Sequence, residues 1–124
     1  MKINDPQVLA QVRSAFERYE KALVTNDIAA LDELFWDSPH TTRYGAAENL
    51  YGMAQIRAFR ASRPAAGLAR TVMATVITTY GDDHATTHIE FARRGARPGR
   101  QSQTWVRLPQ GWRIVAAHVS VLPA

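Results

Sequence analysis

No cysteine occurs among the 124 residues, which removes disulfides, thiolate metal sites and cysteine nucleophiles from consideration. Long apolar runs are missing too. Nothing approaches the ~20 apolar residues that span a bilayer, and the N-terminal MKINDPQVLA lacks the apolar core of a signal peptide. The expectation is a soluble, cytoplasmic protein with no membrane partner. There is no G-x-S-x-G, no G-x-x-x-x-G-K-[ST] and no G-x-G-x-x-G, so serine hydrolases, P-loop enzymes and dinucleotide binders lose support. Repeats, low-complexity tracts and linkers are absent, and a chain of this length suits one domain, 1–124. Lysine is scarce: thirteen of the fifteen basic residues are arginine, the net charge is +4 and the isoelectric point about 10.0. Arginine offers a planar fork for carboxylate or phosphate, although a GC-rich coding sequence accounts for the bias equally well. Because the arginines are scattered, with no basic run or arm, nucleic acid is not an expected partner.

What is present falls into two halves. Asp5-Pro6 forms an N-cap and first-turn pair, after which Val8, Val12, Phe16, Tyr19 and Leu23 recur at helical steps, predicting a helix that ends near Asn26. Asp27 can cap a second helix with Ile28, Leu31, Leu34 and Phe35 on its buried stripe, stopped before Pro39. A third carries Met53, Ile56, Phe59 and Arg63 on one face and ends at Pro64. From Leu68 the period changes to two, giving strands at about 68–80, 85–94, 100–108 and 112–121, separated by glycine- and proline-bearing turns. Short connections favour an antiparallel meander. The expected fold is therefore α+β, three helices on one face of a strongly curved antiparallel sheet. Between the second and third helices, TTRYGAAENLYG (41–52) has neither period and reads as a connection.

Several polar residues fall on faces expected to point inward. Tyr19 is in phase with the core residues of the first helix, and its hydroxyl needs a partner or a surface position. On the last strand Ile114, Ala116, His118 and Ser120 alternate onto one face. His118 is either a satisfied buried histidine or a catalytic one. Gln103 and Trp105 share a face of the preceding strand as candidate cavity-lining residues. Thr87, Ile89, Phe91 and Arg93 share a side of their strand, and His88 and Glu90 the other. Without His-Glu-x-x-His or thiolates, no metal site is expected. Arg60 and Arg63 are the third-helix arginines nearest its buried stripe, and one of them is expected to reach a pocket rim or Glu48. Tyr51 either lines that pocket or packs where the third helix begins.

RYGAAENLYGMAQIRAFRASRP (43–64), with FERYEKALVTNDIAALDELFW (16–36) and the terminal GWRIVAAHVS (111–120), closely resembles the AtzH/HpxZ-like family of the NTF2-like, SnoaL-like superfamily. The resemblance covers nearly the whole chain, and its R-Y-G-x-x-E-N-x-Y-G block is specific. It implies a conical α+β fold, assembly as a homodimer or larger, and functional association with amidohydrolases in cyanuric acid or oxalurate breakdown. For the AtzH type it implies decarboxylation of 1,3-dicarboxyurea to allophanate without a cofactor. The family's candidate site pairs a first-helix tyrosine with the arginine of that block, which match Tyr19 and Arg43. Glu48 is expected to orient an arginine, since a free carboxylate would repel an anionic substrate. Two rival functions follow: a non-catalytic accessory or oligomerisation partner of an amidohydrolase, and steroid-isomerase-like proton transfer, which wants an acidic base in an apolar pocket.

Overall fold

The computed structural model describes residues 1–123. Helix α1 spans Pro6–Val24, and the Asp5 carboxylate accepts from the backbone N–H of Gln7 at 3.0 Å and of Val8 at 3.4 Å, the cap that the sequence pattern announced. Helix α2, Ile28–Leu34, begins on Asp27, which accepts from Ala30 N–H at 3.1 Å. It stops one residue early because Phe35 turns extended and bridges Ile114, with Trp36 N–H donating to the Ile114 carbonyl at 2.9 Å. Helix α3, Met53–Ser62, starts after Gly52. That residue has φ +83° and lies so close to Pro39 that a Cβ would sit 3.3 Å from its carbonyl oxygen.

The region expected to be a connection is a small hairpin. Strand β1 (Thr42–Tyr44) pairs antiparallel with β2 (Asn49–Tyr51), and Gly45 N–H donates to the Glu48 carbonyl at 2.9 Å to close the turn. Three residues are too few to display a strand alternation, so the pattern stayed silent. Strands β3 (Thr71–Tyr80), β4 (His84–Ala92), β5 (Gly99–Leu108) and β6 (Gly111–Val121) form the expected antiparallel meander. β1 docks on β6 in parallel, Arg43 opposite Ala117, so the six-stranded sheet is mixed instead of purely antiparallel, in the order β2-β1-β6-β5-β4-β3.

The sheet is open and curved, with register breaks at Val72/Ala74 and Thr104/Trp105 adding local twist. Its concave face packs on the helices around Phe35, Leu31, Leu34, Met53, Ile56, Trp105 and Ile114, all essentially inaccessible. The second break changes which β6 residues point inward. Thr104 pairs with Ala116 but Trp105 with Ile114, leaving Val115 as an extra residue. Beyond the bulge Ala117 is buried and His118 is exposed, the reverse of the simple alternation. Among the described residues no helix is long and apolar enough to cross a membrane.

Candidate active site

A cavity of about 340 Å³ opens where the C-terminal half of α1, the β1–β2 turn, the end of α3, the segment leading into β3 and the β4, β5 and β6 strands meet. Tyr19 enters it from α1. The helix phase that buries Val12, Phe16 and Leu23 also buries the Tyr19 ring, 4% exposed and 6.3 Å from the Phe35 ring. Its hydroxyl is left without a hydrogen-bond partner among the described residues. Arg43 comes from the middle of β1, and its Nη1 donates to Glu48 Oε1 at 2.8 Å. The guanidinium also lies over the Phe59 ring at 5.3 Å. The Glu48 carboxylate fits against Gly45 so closely that a Cβ there would fall 1.8 Å from Oε1. Glycine in the R-Y-G block is thus what allows Glu48 to fold back on Arg43.

The opposite wall is built by Arg70, Arg93 and Gln101, none of them among the expected site residues, together with Arg63. Arg70 is bound by both Glu20 carboxylate oxygens, with Nε to Oε2 at 3.2 Å, and its Nη2 also donates to Gln101 Oε1 at 3.1 Å. The guanidinium carbons of Arg70 and Arg93 lie 4.5 and 5.0 Å from the centre of the Phe91 ring. Gly99 leaves room for that ring, since a Cβ there would meet it at 2.2 Å. Arg63 follows α3 in extended conformation ahead of Pro64 and also lines the cavity. Nε and Nη2 of Arg63, Nε of Arg93 and Nε2 of Gln101 are buried without a partner among the described residues. Burial pushes the Arg63 guanidinium below its ordinary pKa, reinforced by the charge of Arg60. Arg93 is lowered by burial and then by Arg70.

Of the expected site residues, Tyr19, Arg43 and Glu48 meet at this cavity, and of the two third-helix arginines of which one was expected at its rim, Arg63 lines it; the others do not. Arg60 is 3% exposed and turned toward α2, where it pairs with Asp32 and lies over the Phe35 ring at 4.8 Å. Gln103 and Trp105 are inward as expected but deeper, in a core network: Trp105 Nε1 donates to Thr87 Oγ1 at 3.0 Å, and that hydroxyl donates to Gln103 Oε1 at 3.2 Å. Tyr51 is 55% exposed and its hydroxyl meets that of Tyr44 at 3.1 Å. The bulge in β6 puts His118 on the outer sheet face, edge-on to Tyr44 at 5.7 Å, and Ser120 on the same outer side, opposite Arg100. Arg93 and Gln101 were legible in principle, being in phase with Thr87–Ile89–Phe91 and with Gln103–Trp105. Arg70 was expected inside the strand from 68, but β3 starts at Thr71 and Arg70 lies in the lead-in, where strand alternation does not set its direction. Among the described residues no group of three or more histidines and carboxylates could hold a metal ion.

The AtzH-like family model matches residues 1–124. The chain belongs to the AtzH-like family. A crystal structure of a protein of unknown function from Pectobacterium atrosepticum is 61% identical to this AtzH-like chain, with a TM-score of 0.96 over 98% of it and 95% of the other. A cystatin-like fold protein from Burkholderia xenovorans is 48% identical, with a TM-score of 0.95 over 100% and 98%. An NTF2-like superfamily protein from Salmonella enterica is 25% identical, with a TM-score of 0.79 over 95% and 93%. Among curated proteins, none matches. The cone of three helices on a curved sheet in this AtzH-like chain is therefore the NTF2-like, cystatin-like fold.

Proposed function

We propose that this protein is a cofactor-independent decarboxylase acting on a small N-carboxylated urea, converting 1,3-dicarboxyurea to allophanate and carbon dioxide. The observation that carries the reading is the convergence of Tyr19 and Arg43 on one cavity whose unpartnered polar groups are hydrogen-bond donors. Such a lining suits an oxygen-rich anion. A steroid-isomerase-like reaction would instead need a free carboxylate base, and the carboxylate that lines the cavity, Glu48, is engaged by Arg43.

In the proposed step the Tyr19 hydroxyl gives a proton to the carbamate nitrogen. The C–N bonding pair stays with that nitrogen, the carboxylate carbon leaves as carbon dioxide, and solvent returns the proton to the phenolate. Arg43, fixed by Glu48, holds the carboxylate that does not react. A tight grip on the departing carboxylate would stabilise the ground state at least as much as the transition state and would not accelerate the reaction. The test is carbon dioxide release from freshly generated 1,3-dicarboxyurea, above the spontaneous rate, on addition of purified protein. No acceleration sinks the proposal.

Gly45→Ala tests whether Arg43 must be held in place. The new methyl would occupy the position of the Glu48 carboxylate, so the pair at 2.8 Å has to open. Misplacing a positioning group by about an ångström costs up to about 100-fold. The expected result is a 10- to 100-fold lower kcat/KM, with Glu48→Ala falling similarly and also losing some thermal stability, because it leaves the largely buried Arg43 guanidinium without its carboxylate. Unaltered kinetics in both variants would show that Arg43 needs no such support.

A further inference from the structure

Four arginines line the cavity, and two of them are already neutralised: Arg43 by Glu48 and Arg70 by Glu20. Arg63 and Arg93 have no carboxylate partner among the described residues, and each carries at least one buried, unpartnered N–H. A partly buried guanidinium without a counter-charge is costly, and two of them facing one cavity repel each other as well. A chain gains nothing in stability from that arrangement. The cost is removed only when something negatively charged enters, and neutralising both requires two charges.

We propose that Arg63 and Arg93 are the charge-sensing pair of the site and select a dianion over the corresponding monoanion. One of them joins Arg43 on the carboxylate that stays, and the other adds binding, not rate, at the carboxylate that leaves. This rests on the decarboxylase reading for the identity of the natural ligand, a dicarboxylated urea. Burial and neighbouring guanidiniums lower the pKa of both groups, which fits a pair short of counter-charge. The arrangement also favours turnover in one direction. Loss of carbon dioxide leaves a monoanion, which satisfies only one of the two guanidiniums and is released more readily than substrate.

The experiment uses Arg63→Gln and Arg93→Gln, with Arg63→Lys and Arg93→Lys as charge-retaining controls. Calorimetric titration compares glutarate, an unreactive dianion with the same number of atoms between its carboxylates as 1,3-dicarboxyurea, with butyrate, the matching monoanion. Losing a charge-assisted contact is expected to weaken glutarate binding roughly 10- to 100-fold in each glutamine variant and butyrate binding much less. The lysine variants should retain most of the preference. Thermal unfolding of the glutamine variants should be unchanged or raised, because an uncompensated buried charge is gone. In kinetics, KM for 1,3-dicarboxyurea should rise more than kcat falls. Equal losses for both ligands, unchanged glutarate affinity or a lowered melting temperature would overturn the inference. The two proposals separate cleanly: glutarate selectivity without carbon dioxide release retains the dianion site and removes the decarboxylase. Release with unchanged KM in both glutamine variants does the opposite.

Discussion

Tyr19→Phe is expected to lower turnover of 1,3-dicarboxyurea by about 10²- to 10⁴-fold, the usual worth of a positioned proton donor, while KM stays within a few-fold. The reason for so one-sided an effect is local. The Tyr19 ring is packed in the α1 stripe and against Phe35, contacts that phenylalanine keeps. Its hydroxyl bonds to no described residue, so removing it leaves no buried partner behind and the melting temperature should hold. All that disappears is the O–H facing the cavity. Single-turnover kinetics on a pre-bound substrate would isolate the chemical step from binding. An unchanged rate there would remove Tyr19 from the mechanism and leave nitrogen protonation to solvent inside an otherwise cationic cup.

The helices and the meander were readable because their signals are local. Asp5, Asp27 and Pro64 mark helix ends through side-chain and ring chemistry that acts over a few residues, and the buried stripe of α1 repeats often enough to be counted. The hairpin β1–β2 was invisible for the opposite reason: it is held by a parallel contact to β6, about seventy residues away, and is too short for a period. Phase along β6 failed at a single extra residue, Val115, after which every side chain changes face. That one bulge moved His118 and Ser120 out of the predicted site and brought Val119 into it. Tyr19 could be placed from its helix phase, whereas Arg43 was reached through family resemblance, and its pairing with Glu48 depends on a turn geometry that only Gly45 allows. The cationic wall was the least readable part. Arginine abundance says nothing about which guanidiniums lack a carboxylate, and that is decided by tertiary pairs such as Arg70–Glu20, fifty residues apart in the chain.

Asp32→Ala is expected to lower stability by about 2–4 kcal/mol, a fall in melting temperature of roughly 10 °C for a chain of this size. Arg60 is 3% exposed and Asp32 is its carboxylate partner, so the substitution leaves a guanidinium buried over the Phe35 ring with no counter-charge. Asp32 itself is 24% exposed on its side chain, and the water this admits is why the lower part of the range for broken buried pairs applies. The sign of a second change distinguishes ion-pair loss from simple loss of packing. Adding Arg60→Met removes the stranded charge and fills much of the same volume beside Phe35, so the double variant should regain most of the lost stability. Arg60 also pushes down the Arg63 pKa, and its removal eases the repulsion on the cavity side as well. Arg60 does not line the cavity, so glutarate affinity in the double variant should stay near that of the parent protein. A double variant less stable than Asp32→Ala would show that the guanidinium contributes through its contact with Phe35 and not chiefly through Asp32. Loss of glutarate binding would return Arg60 to the site where its helix position first suggested it belonged.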